Sequence, residues 1–222
     1  TSVYYMRTDV KPAMKVPTDL GRAEGIVSGG LSVDSPKDLL LRLTLDMLGH
    51  KYKYVTGYRG SNGARLALQQ GEINYYSESP PSYRSVVETG IVAKGEAIGL
   101  FYDPSWDGKA FGKSKQVEGL PLPSYPELYA QIKGGTPSGE LWDFYRTSLA
   151  LTNELFRLIV LPPGSPKAAV EALREAIGRL NTDKEFAAES VKLFGFVPEY
   201  AAGPDTNERV RAALLVPAET KA

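Results

Sequence analysis

A chain of 222 residues, 42% hydrophobic and 23% charged, has the composition of a folded protein of one large or two modest domains, and excludes collagen-like, low-complexity and disordered classes. Its 26 basic and 26 acidic side chains cancel, so no strong field draws it to nucleic acid or to an anionic membrane surface. With no cysteine and a single histidine, His50, the chain has no thiolate chemistry, no zinc-thiolate or two-histidine metal site, and a Ser-His-Asp triad only if that one residue serves it.

Taken in chain order, Thr1 leads directly into a β-type run at 3–7 with no initiator methionine, basic n-region or signal-peptide core, which reads as a mature or truncated portion of a longer protein. After a proline-bearing polar stretch at 11–23, residues 25–30 read as a short buried strand that runs into a glycine turn. Ser35-Pro36-Lys37-Asp38 supplies an N-cap serine, a proline at the first helical position and an acid at the third, and predicts a leucine-rich helix that stops at Gly49. Residues 52–56 read as a strand, 57–63 as a glycine-bearing loop, 64–70 as a helix stopped by Gly71, and 73–77 as a strand. A short helix over 82–89 and a strand over 97–102 follow. Strands alternating with helices at this spacing predict parallel pairing through crossover connections, hence an α/β layered domain.

From Asp103 to Gly139 prolines and glycines dominate and only 125–132 is predicted helical, so this stretch reads as an extended connector. Residues 141–151 are predicted helical and 156–161 an apolar strand broken by Pro162-Pro163-Gly164. Three helices over 166–180, 183–194 and 207–215 close the chain, their starts marked by Ser165-Pro166, by Thr182 with Glu185, and by Asp205 with Glu208. A helical tail without strands of its own must cover a sheet that lies elsewhere. No apolar run approaches the roughly 18 residues of a membrane span.

In an open α/β sheet, ligands bind beyond the carboxyl ends of strands, where helix N-termini point. Three such corners are rich in small polar residues. Ser28-Gly29-Gly30-Leu31-Ser32 offers backbone N–H groups and a helix dipole to a carboxylate or phosphate, yet matches neither G-x-G-x-x-G nor a P-loop; a plain turn into a capped helix explains it equally. Tyr58-Arg59-Gly60-Ser61-Asn62 adds a guanidinium able to grip a carboxylate, or simply a solvated cation. Ser77-Glu78-Ser79 offers hydroxyls and one carboxylate that accepts from a ligand hydroxyl or amine, or orients a loop. As a catalytic set the corners are poor: Ser28, Ser61 and Ser77 have no evident general base, His50 lies at the far end of a helix, and nothing in spacing requires Glu78 to pair with Asp103. Tyr75, Tyr76, Tyr83, Trp106 and Trp142 line a cleft or simply pack. No metal site and no cofactor are expected.

In order and spacing the chain resembles the TctC or Bug family of solute-binding receptors of tripartite tricarboxylate transporters, over nearly its whole length. The resemblance rests on the Ser28-Gly29-Gly30-Leu31-Ser32 turn between strand and helix, on Tyr58-Arg59-Gly60, on Gly71-Glu72-Ile73-Asn74 after a helix, and on Pro162-Pro163-Gly164-Ser165-Pro166 before the closing helices. It implies an α/β, two-lobed periplasmic-binding-protein type II (Venus flytrap) fold, with much of the first lobe, about a hundred residues or one usual domain's worth, absent from this chain. On that pattern 1–8 is a crossover strand and part of lobe 1, 9–155 is lobe 2, and 156–222 returns to lobe 1. The implied function is not enzymatic: a monomeric periplasmic receptor captures a small organic carboxylate between its lobes and delivers it to membrane permease subunits. Carried over by position, Ser28, Gly29, Ser32, Tyr58, Gly60, Ser61 and Asn62 are ligand-side candidates, joined by Glu78 and Ser79 and, from its chemistry alone, Arg59. The stretch Ser32-Val33-Asp34-Ser35 departs from the usual family wording and points to an atypical substrate. An enzyme that acts on a carboxylate through Glu78 or a serine, and a ligand-sensing module, are the alternatives.

Overall fold

The computed structural model describes residues 1–106, 110–154, 158–203 and 205–214. A five-stranded sheet in the order β3-β2-β4-β1-β5 is built from β1 (Val3–Arg7), β2 (Ile26–Gly29), β3 (Tyr52–Val55), β4 (Tyr75–Glu78) and β5 (Ala97–Tyr102). The predicted parallel pairing holds for β2 with β3 and with β4. It fails at β1, which lies antiparallel to both β4 and β5 and makes the sheet mixed. Val3, Tyr4, Tyr5 and Met6 are fully buried, as a central strand's residues must be, but burial on both faces says nothing about strand direction.

α1 (Pro36–Leu48) joins β2 to β3, and α2 (Gly60–Gln70) carries the chain from β3 past β2 to β4. Tyr75 and Tyr76 point to opposite faces of β4, as successive strand residues do. The Tyr75 hydroxyl bonds the Thr44 hydroxyl of α1 at 2.8 Å, and on the other face Arg65 of α2 bonds Glu78. The two helices therefore cover opposite faces of the sheet.

The face under α1 holds an aromatic core. Tyr4 stacks on Phe101 at 4.3 Å between centroids, and Tyr125 and Tyr145 pack beside them from α4 (Tyr125–Lys133) and α5 (Glu140–Glu154). Their polar tips are satisfied: the Tyr125 hydroxyl donates to the Thr44 carbonyl at 2.9 Å, and Tyr145 and Tyr4 donate to the buried Asp103 carboxylate at 2.7 and 3.0 Å. α4 opens on a capping box, in which Glu127 accepts from both the backbone N–H and the hydroxyl of Ser124 at 2.7 Å. On the opposite face Tyr5 meets Tyr76 edge-on and packs near Tyr83.

Several boundaries differ from expectation. α2 begins at Gly60, so residues 57–59 of the expected glycine-bearing loop are a loop while 60–63 form the helix's first turn; Ser and Asn suit a helix start as well as a loop. β4 begins at Tyr75, one residue after Asn74, whose backbone bonds both Val27 and Arg7 and whose side chain accepts from the Val27 N–H and donates to the Gly25 carbonyl, the last two at 2.9 Å. The short helix predicted over 82–89 starts as one turn, α3 (Pro80–Ser82), and continues as a π-helix over Tyr83–Val92. In the connector, β6 (Ser105–Trp106) pairs antiparallel with β7 (Phe111–Gly112).

The strand expected over 156–161 is not found in its described part: residues 158–161 form no strand, and 156–157 lie outside the described residues. α6 (Lys167–Leu180), α7 (Lys184–Phe194) and α8 (Thr206–Leu214) form where predicted, although the cap of α7 is Asp183, which accepts from the Phe186 N–H at 2.9 Å, and not Thr182. Among the described residues of 158–214 only Ser190 is buried.

Candidate functional site

β2 and β4 are neighbours whose outgoing connections leave over opposite faces of the sheet, so their carboxyl ends form a switch point, the position at which ligands of open α/β sheets bind. The N-terminal turns of α1 and α2 both meet this edge. The first predicted corner lies here, but the N–H donors of its loop are already taken. The Asp38 carboxylate, 2% exposed, accepts from the Leu31 N–H at 2.8 Å and from the Ser32 N–H at 3.2 Å. The Gly30 N–H donates to the Val55 carbonyl at 3.0 Å. The anion expected in this turn is therefore the chain's own.

The two glycines are explained by close approach. A Cβ on Gly30 would lie 2.3 Å from the Asp38 carboxylate, and one on Gly29 would lie 2.8 Å from the Tyr58 ring. Ser35 occupies the N-cap position of α1 without a side-chain cap bond; Asp38 reaches past it to the loop.

The second corner remains open. No side chain caps the N-terminus of α2, so the N–H groups of its first turn have no side-chain acceptor. Lys37 of α1 donates to the Tyr76 hydroxyl at 2.8 Å, and the Ser61 side chain lies near the same hydroxyl. Burial lowers the Lys37 pKa from its ordinary value, and the Glu78 carboxylate opposes that shift. Arg65 sits one turn further along α2. Its Nε and Nη2 each lie 3.0 Å from Glu78 Oε1, and its Nη1 donates to Asn62 Oδ1 at 3.2 Å. The Arg65 side chain is 12% exposed and that of Glu78 is 0% exposed.

Glu78 Oε2, the Tyr5 hydroxyl, and the hydroxyls of Ser28 and Ser77 are buried without a hydrogen-bond partner. The Tyr5 pKa is raised, first by burial and then by the adjacent Glu78 carboxylate. Buried polar groups are seldom left unpaired in native proteins; Glu78 and Tyr5 lie on the face of the sheet covered by α2, and Ser28 and Ser77 on the face covered by α1.

The structure thus gathers Ser61, Asn62 and Glu78, with Ser28 at the end of β2. The other candidates have other employment. Arg59 is exposed, and the guanidinium that reaches a carboxylate is that of Arg65. Tyr58 lays its ring on Gly29 and donates to Glu72 at 3.1 Å. Ser32 offers only backbone, its N–H to Asp38 and its carbonyl to Tyr54 at 3.1 Å. Ser79 donates to the Ser82 hydroxyl at 3.2 Å, and Gly60 starts α2 at φ 72°.

Sequence reasoning missed Arg65, Lys37 and Tyr5, and named Tyr76 only among aromatics that line a cleft or pack. A helix drawn from residue 60 would have put Arg65 four residues after Ser61, on the same face. Tyr75, Tyr83 and Trp142 are core residues, no more than 6% exposed, and the Tyr76 ring is buried too while its hydroxyl accepts from Lys37; the Trp106 side chain lies outside the described residues. Asp103 has its own partners, Tyr4 and Tyr145, and makes no pair with Glu78. His50 Nε2 is buried and unpartnered, and burial lowers its pKa. A hollow of about 580 Å3 lies elsewhere, beside Lys115, Asn181 and Glu199. Among the described residues no group of three or more His, Cys, Asp or Glu is placed to hold a metal ion, and no helix is long and apolar enough to cross a membrane.

No protein-family model matches the chain. No curated protein matches it either. Among solved structures it is similar to a TctC solute-binding protein from Polaromonas, without ligand, at 14% identity and a TM-score of 0.48, over 96% of this chain and 63% of that one. The chain therefore spans less than two thirds of the length of that structure.

Proposed function

We propose that this chain is the ligand-gripping part of a monomeric periplasmic solute-binding receptor, which captures a small organic carboxylate and delivers it to a membrane permease without chemical change. The observation that carries the reading is the uncapped N-terminus of α2 at the switch point, flanked by Lys37 and Ser61. A helix N-terminus with a neighbouring ammonium favours an anion, and a hydroxyl fixes its orientation. The family order of the sequence agrees with it. In this reading β1, antiparallel inside the sheet, is the crossover strand; residues 9–155 form one lobe, and 1–8 with 156–222 belong to the other.

The test is titration calorimetry of the purified protein against mono-, di- and tricarboxylates, with the matching neutral amides as controls. Saturable binding of an acid that is recovered unchanged is expected. Ser61→Ala and Lys37→Met should each weaken it about ten-fold or more, as loss of one hydrogen bond to a charged group does. Binding of no acid, or consumption of the acid in a reaction stopped by Glu78→Gln, would overturn the proposal.

A further inference from the structure

We infer that the captured solute carries a hydrogen-bond donor, a hydroxyl or an amine on its carbon skeleton, which is read by Glu78 Oε2 together with the Tyr5 hydroxyl. The inference rests on the receptor reading and deepens it. Arg65 spends both of its contacts to Glu78 on Oε1, so Oε2 is a fully buried carboxylate oxygen with nothing donated to it. An ionised carboxylate accepts only, so what completes it must donate. The Tyr5 hydroxyl beside it is unpartnered too and both donates and accepts.

Position ties this pair to the anion corner. Val3 and Glu78 face each other across β1 and β4, with Tyr5 opposite Tyr76. Tyr76 accepts from Lys37 with Ser61 near its hydroxyl, and Arg65 ties Glu78 to Asn62 in the first turn of α2. A carboxylate held at that turn places its skeleton toward Glu78. Charge agrees: with Asp38 committed to its loop, Lys37 and Arg65 face Glu78, and one ligand carboxylate balances them. An unsubstituted acid leaves Oε2 bare. A hydroxy or amino acid completes it.

The experiment compares matched acids on the purified protein by calorimetry: propionate with lactate and alanine, succinate with malate and aspartate, tricarballylate with citrate. The donor-bearing member of the accepted set should bind at least about ten-fold tighter than its unsubstituted partner. Glu78→Gln should close that gap. Because Glu78→Gln disturbs Arg65, Tyr5→Phe serves as the second variant; it removes a buried unpaired hydroxyl at little structural cost. It should narrow the gap while the melting temperature is unchanged or higher. If acids bind equally with and without the donor, as they would were a buried water the partner of Oε2, or if the gap survives both variants, the inference falls and the receptor reading stands. If no acid binds, both fall.

Discussion

Residues 3–149 and 158–214 contain helices of similar length and comparable amphipathic pattern, yet only the first region has a buried apolar core. Every buried apolar side chain among the described residues lies between Val3 and Leu149. In the second region α6 repeats Val170, Leu173, Ile177 and Leu180 at helical spacing, and none of its residues is buried. α7 is nonetheless closed at both ends, by Asp183 at its start and by Gly195, at φ 78°, after its last turn. The lesson is that caps and periodicity set where a helix runs, while burial needs a partner surface that local sequence does not supply.

The contrast can be broken at three levels. The largest effect is expected at the buried ion pair. Arg65→Met leaves the buried Glu78 without its ion-pair partner and should lower stability by about 3–5 kcal/mol, whereas Arg179→Met, at an exposed pair, should stay within about 0.5 kcal/mol. Urea denaturation of both variants measures the difference, and equal losses would erase the distinction between the regions. Next comes the core. Leu45→Ala, at a fully buried position of α1, should cost about 2–5 kcal/mol, and Leu193→Ala, 58% exposed, should fall within about 0.5 kcal/mol.

The smallest effect is a pH dependence inside the packed region. Burial raises the Asp103 carboxyl pKa above its ordinary value despite the bonds from Tyr145 and Tyr4. The folded state then holds this proton more tightly than the unfolded state does. Asp103 therefore favours folding at pH values below the ordinary carboxylate range, and that contribution is lost as pH rises through the raised folded value. Asp103→Asn should remove this downward slope from the stability-pH curve measured by urea titration; an unchanged slope would assign it elsewhere. Asp19, held to a pKa of about 2 chiefly by the Lys15 and Val16 N–H groups, acts in the opposite sense: its contribution is present above the ordinary carboxylate pKa and is lost as pH falls toward about 2.

Much of the element order was legible from residues in a row. Pro36 and Gly49 bound α1 as expected, Gly71 stops α2, and the three closing helices fall within a residue or two of prediction. The candidate site was legible only in part. Ser61, Asn62 and Glu78 lie where strand-end reasoning put them, while Arg59 was chosen over Arg65 because residues 60–63 were read as a loop. The Gly29-Gly30 turn was read as an anion site for a ligand, yet seven residues on from Leu31 the chain supplies its own carboxylate, Asp38.

By itself the sequence determined the α/β alternation, the lack of cysteine chemistry, the helix boundaries marked by caps and glycines, and the three polar strand ends. These depend on single residues and on neighbours within one or two turns. Only the tertiary structure decided that β1 runs antiparallel, that the Leu31 and Ser32 N–H groups are spent on Asp38 while the start of α2 stays open, and that Glu78 keeps one oxygen unpaired. Those outcomes depend on which distant segments meet, as Val3 meets Glu78 and Tyr102, and no local pattern in a strand encodes its direction or its partners.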